Sequence, residues 1–418
     1  MLTLIYFILI LGIIVLVHEF GHFIFSKLFG VHVFEFSIGM GPRLFGTKKV
    51  KGKTQYNVRA LPIGGFVALA GEDPTEKDPE VPDGAYLYQK PVWQRFIIMA
   101  AGVFNNFLLA LILLFFVGIF RGAVDLTPAV TSLDESGAMY EAGIREGDII
   151  KSINGHSVST LDDARVYLML ENDGSETNFV VNRNGEKLKF NVKPQETFII
   201  TKLDEKKDLY KLGLREGDIF KTINGEKIIS EDILKENLAS ETGIEIIVER
   251  NGEEVSLSLT SPMTLEKETY EKSLKYGITF EQKIEKGFIP TLKYTFGQFG
   301  SYFKQIIITF EYLFKGKVGV NDLSGPVGIY SIVGEASKSS ALFSLATLTA
   351  LLCVNVGFIN ILPFPAFDGG RILFLIIEKI KGKPVNPKIE NTVNTVGFLL
   401  LMLLVLFITI SDIGKLIG

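Results

Sequence analysis

Four stretches of this sequence are apolar over nearly the thickness of a lipid bilayer, and a chain built that way cannot leave them in water. They run from Leu2 through Val17 and on to Phe29, from Phe96 to Phe120, from about Ala341 to Ile361, and from about Val393 to Ile410. A hydrocarbon core of about 30 Å takes roughly 20 helical residues, because backbone amides inside it can bond only one another. The 25 residues of the second stretch would reach about 37 Å as a helix. Composition agrees, with 47% hydrophobic residues and 33 phenylalanines. The first stretch has no Lys or Arg before Lys27 and no small-residue cleavage site after it, so it reads as a retained helix and not as a signal peptide. A polytopic α-helical membrane protein with four transmembrane helices is expected.

Basic residues near span ends set orientation. Arg43, Lys48, Lys49, Lys51, Lys53, Arg59, Lys90 and Arg95 lie between the first two stretches, and Arg371, Lys379, Lys381, Lys383 and Lys388 between the last two. Both short loops are therefore expected in the cytoplasm, with both termini and the long segment between the second and third spans outside. Charge is nearly balanced, 43 Lys+Arg against 47 Asp+Glu, so a nucleic-acid partner has no electrostatic support. Cys353 is the only cysteine, which excludes an internal disulfide framework and a thiolate zinc cage.

The long segment contains a duplication. Gly143-Ile-Arg-Glu-Gly-Asp-Ile-Ile-Lys-Ser-Ile-Asn-Gly155 returns 70 residues later as Gly213-Leu-Arg-Glu-Gly-Asp-Ile-Phe-Lys-Thr-Ile-Asn-Gly225, identical at 10 of 13 positions. Arg183-Asn-Gly-Glu186 returns as Arg250-Asn-Gly-Glu253. Each Asn-Gly stands between short β-branched runs, a tight-hairpin signal, so the unit is expected to be mostly strand with a helix or two. The pattern resembles bacterial PDZ domains, which accept a peptide as an added strand on a sheet edge. The resemblance implies two inserted α+β PDZ-like domains that bind a peptide or a substrate ectodomain; the alternative is a pair that only spaces or shields the membrane part.

His18-Glu19-Phe20-Gly21-His22 interrupts the first apolar helix. Residues four apart share a helix face, so both imidazoles can ligate one ion, while Glu19 projects beside them as a base for an attacking water. A pair of core histidines with a paired glutamate would leave three polar groups unexplained where each is costly. Catalytic zinc takes three protein ligands and keeps one open position. Neither of the other histidines is well placed: His32 falls in a strand-like segment beyond Gly30, and His156 falls in the repeats. The expected third ligand is Asp368, in Asn360-Ile-Leu-Pro-Phe-Pro-Ala-Phe-Asp-Gly-Gly370. A charged Asp at mid-membrane costs about 3 kcal/mol, and Pro363 and Pro365 break the helix just before it. The alternative is a helix-capping Asp.

HExxH in the first span with NxxPxPxxDG in a later one resembles the site-2 protease family of intramembrane zinc metalloproteases. The PDZ-like pair between spans two and three narrows the resemblance to the bacterial regulator of sigma-E protease type. It covers essentially the whole chain, and Gly39-Met-Gly-Pro-Arg-Leu-Phe45, Gly64-Gly-Phe-Val67 and Ser324-Gly-Pro-Val-Gly-Ile329 also look like family segments. Two departures are Phe367, where the family usually has Leu, and Val103, where the span-two pattern usually has Pro. The resemblance implies Zn2+ held by His18, His22 and Asp368, with Glu19 as general base. It also implies a bacterial cytoplasmic (inner) membrane location, with the PDZ-like domains outside and the active site near the cytoplasmic side. Substrates would be single-span membrane proteins already trimmed outside, such as anti-sigma factors, with remnant signal peptides as a second class.

A helical substrate must be unwound before hydrolysis, and something must replace its hydrogen bonds. Residues 54–69, with Leu61-Pro-Ile-Gly-Gly65 as a turn, read as a membrane-associated β-hairpin whose free edge, with Gly64, Gly65 and Phe66, could pair with the substrate. Asn360 could bond the substrate or satisfy carbonyls freed by the broken helix, and Asn106 is a further candidate for substrate contact. Gly287 to Lys315, with sparse charges, suits an interfacial amphipathic helix. The expected organisation is residues 1–29 as the first transmembrane helix, 30–95 as the loop with the hairpin, and 96–121 as the second helix. PDZ-like domains follow at 124–198 and 199–262, a connector with the interfacial helix at 263–318, the third transmembrane region at 319–380, and the fourth helix at 381–418. Two other functions stay open: a non-catalytic PDZ-bearing membrane scaffold, and a membrane-anchored zincin acting outside the bilayer.

Overall fold

A computed structural model describes the chain apart from residues 1, 49, 51, 73–77, 80, 202, 204–207, 212, 229–230, 239–243, 251, 260–269, 339–340 and 418. It divides into two compact units, residues 1–125 with 284–418, and residues 126–283.

In the first unit, α1 (Leu2–Leu28) and α2 (Val92–Phe120) are continuous helices of 27 and 29 residues. They cross where Gly21 meets α2: a Cβ there would lie 2.3 Å from the Ala101 carbonyl oxygen, so glycine is required for the approach. Between them, β1 (Val33–Gly46) and β2 (Gln55–Leu69) each fold back on themselves. Their register makes four short runs in the spatial order 65–69, 33–38, 55–58, 43–46, with 33–38 running alongside 55–58 in the same direction and the two outer pairs antiparallel. The expected hairpin is corrected here. Residues 55–58 and 65–69 do not pair with each other; the run 33–38 lies between them. Val33, Val67 and Leu69 of this sheet pack with Ile98 and Met99 of α2.

After β3 (Ala123–Val124) the chain enters the second unit. Its first repeat holds β4 (Ser132–Leu133), α3 (Ala138–Glu141), β5 (Ile149–Ile153), β6 (His156–Ser157), α4 (Leu161–Leu170), β7 (Thr177–Arg183) and β8 (Glu186–Val192). The second holds β9 (Gln195–Ile200), α5 (Asp208–Lys211), β10 (Ile219–Ile223), β11 (Glu226–Lys227), α6 (Glu231–Leu238), β12 (Ile244–Arg250) and β13 (Glu253–Leu259). The two sheets run β6-β5-β7-β8 and β13-β12-β10-β9-β14, the last strand being β14 (Tyr270–Lys275). Each repeat has its own apolar core, around Ile150 and Phe179 in the first and Phe198 and Phe220 in the second, all at most 1% exposed. Beyond β14, β15 (Ile278–Thr279) pairs with β4 in the first repeat. Residues 270–279, expected in a connector, thus belong to the repeats.

The chain returns through β16 (Ile284–Glu285), paired with β3, into α7 (Phe288–Phe314). The expected interfacial helix forms, but it packs antiparallel along α2, with Phe288 on Phe115 and with Phe299 and Phe303 on Phe107. Its buried face mixes Thr291, Thr295, Gln298 and Ser301 with Tyr294, Tyr302, Ile308 and Tyr312, while Phe288, Ile289, Phe296 and Ile307 are exposed. Next come α8 (Pro326–Ala336), α9 (Ala341–Ile361), α10 (Asp368–Lys381) and α11 (Pro387–Ile417). Buried Asp412 of α11 accepts the Gly325 and Gly328 amides at the start of α8, at 2.9 and 2.8 Å. Among the described residues, four helices, α1, α2, α9 and α11, are long and apolar enough to cross a membrane.

Candidate metal centre

Three polar side chains converge between α1, α2 and α10. His18 and His22, one turn apart on α1, are 8% and 6% exposed, with their Nε2 atoms 3.2 Å apart. Asp368 Oδ2 lies 3.0 Å from His18 Nε2 and 3.4 Å from His22 Nε2. Ligand distances of about 2.0–2.2 Å in a tetrahedral zinc site put donor atoms about 3.3 Å apart. The buried Oδ2 also has no hydrogen-bond partner, and a carboxylate oxygen so placed is costly unless a cation completes it. The donor set of two imidazoles and a carboxylate suits zinc, and these residues fit it.

The candidate ligands are themselves oriented. The Ile98 carbonyl accepts a 2.7 Å bond from His22 Nδ1, so the proton sits on Nδ1 and the lone pair on Nε2. Asn106 lies behind His18, with its amide nitrogen 3.4 Å from Nδ1 and its oxygen buried without a partner. Turning the amide over gives Nδ1–H an acceptor and settles both groups at once. Asn106 is fully buried beside His18, a position that suits orienting that ring better than the expected substrate contact. Gly102 gives the rings room: a Cβ there would stand 2.5 Å from His22 Nε2 and 2.7 Å from His18 Nε2. Sequence reasoning missed Gly102 and Ile98. The adjacent small pair Ala101-Gly102, four residues before Asn106, was the available signal; a backbone carbonyl leaves none.

Glu19 is fixed from the sheet. Its Oε2 accepts the Val67 amide at 3.1 Å. That amide points away from the neighbouring run 33–38, and strand alternation turns Gly65 the same way while Phe66 faces inward, opposite Ser37. The Phe66 ring lies 4.9 Å from the Arg59 guanidinium. Of the three residues expected on the edge, Gly65 therefore presents its backbone outward. Gly64, at φ +76°, makes the bend before it, and Phe66 is corrected to a pairing and packing residue.

The segment carrying Asp368 is held by tight contacts. Phe364 N–H bonds the Leu362 carbonyl, and the Gly370 amide bonds that of Phe367. Gly369 is needed because a Cβ would lie 2.1 Å from the Leu362 oxygen. From α11, Gly397 packs on Pro365, and Asn394 Oδ1 accepts the Ala366 amide at 3.4 Å. Phe367, not Asp368, occupies the N-cap of α10, and no side chain caps the helix, which argues against the capping alternative. Asn360 stands half-buried on the last turn of α9. His32 lies beside Phe34, outside the cluster, and His156 belongs to the second unit, stacked on Tyr167.

The model of Peptidase family M50 matches residues 6–404. The chain belongs to this family. As an M50 (site-2 protease) member it is a zinc-dependent metalloendopeptidase of the membrane, and its reaction is intramembrane proteolysis. It is similar to a Fusobacterium nucleatum protein named as a zinc metalloprotease, 33% identical over 410 residues covering 98% of each chain. It is also similar to the regulator of sigma-W protease RasP of Bacillus subtilis, 28% identical with 99% of each chain covered. A third relative is the zinc metalloprotease RasP of Shouchella clausii, 31% identical over 434 residues and 99% of each chain.

Proposed function

We propose that this M50 peptidase holds zinc with His18, His22 and Asp368, uses Glu19 as its base, and cuts transmembrane segments of single-span proteins in regulated signalling. The observation that carries it is the buried Asp368 oxygen, aimed with two imidazole nitrogens at one point and bonded to none. Held by these three residues, zinc would supply an attacking water acidified to a pKa of about 7 and a Lewis acid for the scissile carbonyl. Glu19, held by the Val67 amide, takes that water's proton and passes it to the leaving amine. An unwound substrate pairs with the outward backbone of Gly65 and Val67, which replaces the hydrogen bonds its helix gives up. Asn360 binds the substrate, since the broken segment after it is closed by its own amides and by Asn394.

The sheet is membrane-associated on the cytoplasmic side, where the basic residues of residues 30–95 cluster, and the PDZ-like repeats are extracytoplasmic. RasP of Bacillus subtilis is named a regulator of sigma-W, which supports anti-sigma-factor-like substrates here. The repeats act as a size filter on substrate ectodomains. Purified protein should carry one zinc per chain and cleave a detergent-solubilised transmembrane peptide, while Glu19→Gln should keep the zinc and lose at least about 100-fold in turnover. A Glu19→Gln enzyme near wild-type rate would remove Glu19 as the base. The filter reading expects pre-trimmed substrates to be cut and the same proteins with intact ectodomains to be refused.

A further inference from the structure

The leading strand of each repeat is the same structural element. Ala129 pairs with Ile149 in the first, and Ile199 pairs with Ile219 in the second, each shifted by 70 residues. The Val130 amide bonds the Asp148 carbonyl just as the Ile200 amide bonds that of Asp218. A strand has two edges, and in both repeats a single downstream segment, residues 270–281, pairs with this element. On β9 it lies antiparallel from Tyr270 opposite Ile200 to Lys275 opposite Gln195, with Thr197 Oγ1 donating to the Ser273 carbonyl at 3.2 Å. It then crosses to the first repeat. The Asp134 amide bonds the Gly277 carbonyl at 3.0 Å, Ile278 pairs with Leu133, and Thr131 Oγ1 donates to the Thr279 carbonyl at 3.0 Å. Between these two runs Tyr276 is buried at 5% exposure, its hydroxyl 2.8 Å from Thr177 Oγ1 and its ring against Phe179.

We infer that residues 270–281 are a built-in strand ligand that closes the leading strands of both repeats, so that an extended peptide binds there only by displacing them. Strand addition draws its affinity from main-chain hydrogen bonds along a free edge, with pockets for alternate side chains giving specificity. Here the main-chain bonds are already made by the chain itself, and Tyr276 fills the pocket. The competitor is therefore an extended peptide with an aromatic residue to refill the Tyr276 site. Ser273 stands directly opposite Thr197, the close cross-strand spacing that a disulfide spans.

The inference rests on the PDZ-like reading of the repeats, and its readout is peptide binding, separate from zinc and proteolysis. The test uses full-length protein in detergent carrying Thr197→Cys with Ser273→Cys, and a fluorescent synthetic peptide of residues 270–281 as probe. The oxidised form should not bind the probe, the reduced form should bind it weakly, and Tyr276→Ala should bind at least tenfold more tightly than wild type. Equal affinity in oxidised and reduced forms would overturn the inference while leaving the PDZ-like reading in place. Absence of binding in every form would overturn both. The oxidised and reduced comparison uses one folded protein, so it stands even if Tyr276→Ala disturbs the first repeat.

Discussion

Asp148 in the first repeat and Asp368 in the membrane unit are both acids taken out of water, yet their surroundings differ in kind. Asp148 accepts Arg183 Nε and Nη2 at 2.7 Å each and the Arg145 amide at 3.0 Å. Asp218 repeats the arrangement with Arg250 and the Arg215 amide. Each of these guanidinium groups also donates to a glycine carbonyl, Gly143 or Gly213. Every lone pair that matters there has a partner, so the charge is spent on holding the repeat together. Asp368 Oδ2 instead faces two ring nitrogens and bonds neither. A buried acid whose partners are complete is architecture; one whose partners leave a common gap of ligand dimensions is a binding site.

The largest effect should come from breaking the open site. Asp368→Ala is expected to remove nearly all bound zinc and activity while the protein still inserts and α1 stays folded. Elemental analysis of the purified variant checks it, and full zinc occupancy would mean a different third ligand. The matching cut in the repeats is Arg183→Ala. It leaves Asp148, at 1% exposure, without its main partner, and it should cost the first repeat about 3 kcal/mol. Zinc content should not move. Urea-dependent proteolysis between residues 126 and 283 reads the first effect, and a parallel loss of zinc would show that the two units are not independent.

A smaller effect tests the orientation of His18. Asn106→Ala should weaken zinc about 10- to 100-fold, the usual cost of losing an outer partner of a metal-bound histidine. Asn106→Asp, which keeps an acceptor for Nδ1–H, should recover most of that loss. Competition with a chelator measures both. If the alanine variant holds zinc as tightly as wild type, Asn106 is only a packing residue.

The same contrast explains what could be read from the residues alone. His18, His22 and Asp368 were legible because a polar group inside an apolar run has few structural excuses. The four spans and the 70-residue duplication were legible because they are patterns along the chain. The Val67 amide and the Ile98 carbonyl were not, since every residue carries such groups whatever its side chain. The interleaving of 33–38 between 55–58 and 65–69 escaped for a related reason: alternation tells which residues form strands, not which strands pair. In α7 the apolar positions were seen, but not that the helix packs along α2. The pairing of Thr131 with Thr279 joins residues 148 apart, and no local signal marks it.

The smallest expected effect is acid sensitivity, and it should separate the two kinds of buried acid. Burial by itself would raise the Asp148 carboxyl. The hydrogen bonds from Arg183 and from the Arg145 amide, with both guanidinium charges, outweigh burial and hold it below its ordinary 3.8. Glu35 in the membrane unit's sheet is also lowered: burial opposes, but bonds from Asn57, Arg59 and Ser37 prevail. In each case the folded state binds fewer protons than the unfolded one in this range, so stability rises with pH. The contribution of Asp148 is complete above its unfolded value near 4 and is lost as pH falls through the lower folded value. Limited digestion by pepsin should therefore leave residues 126–283 intact at about pH 5 and open them progressively below about pH 4. Arg183→Ala removes the larger part of what lowers Asp148, leaving the Arg145 contribution, so the variant should be weaker at pH 5 yet lose less on further acidification. Equal acid-induced losses in wild type and Arg183→Ala would show that the Asp148–Arg183 pair does not set this response.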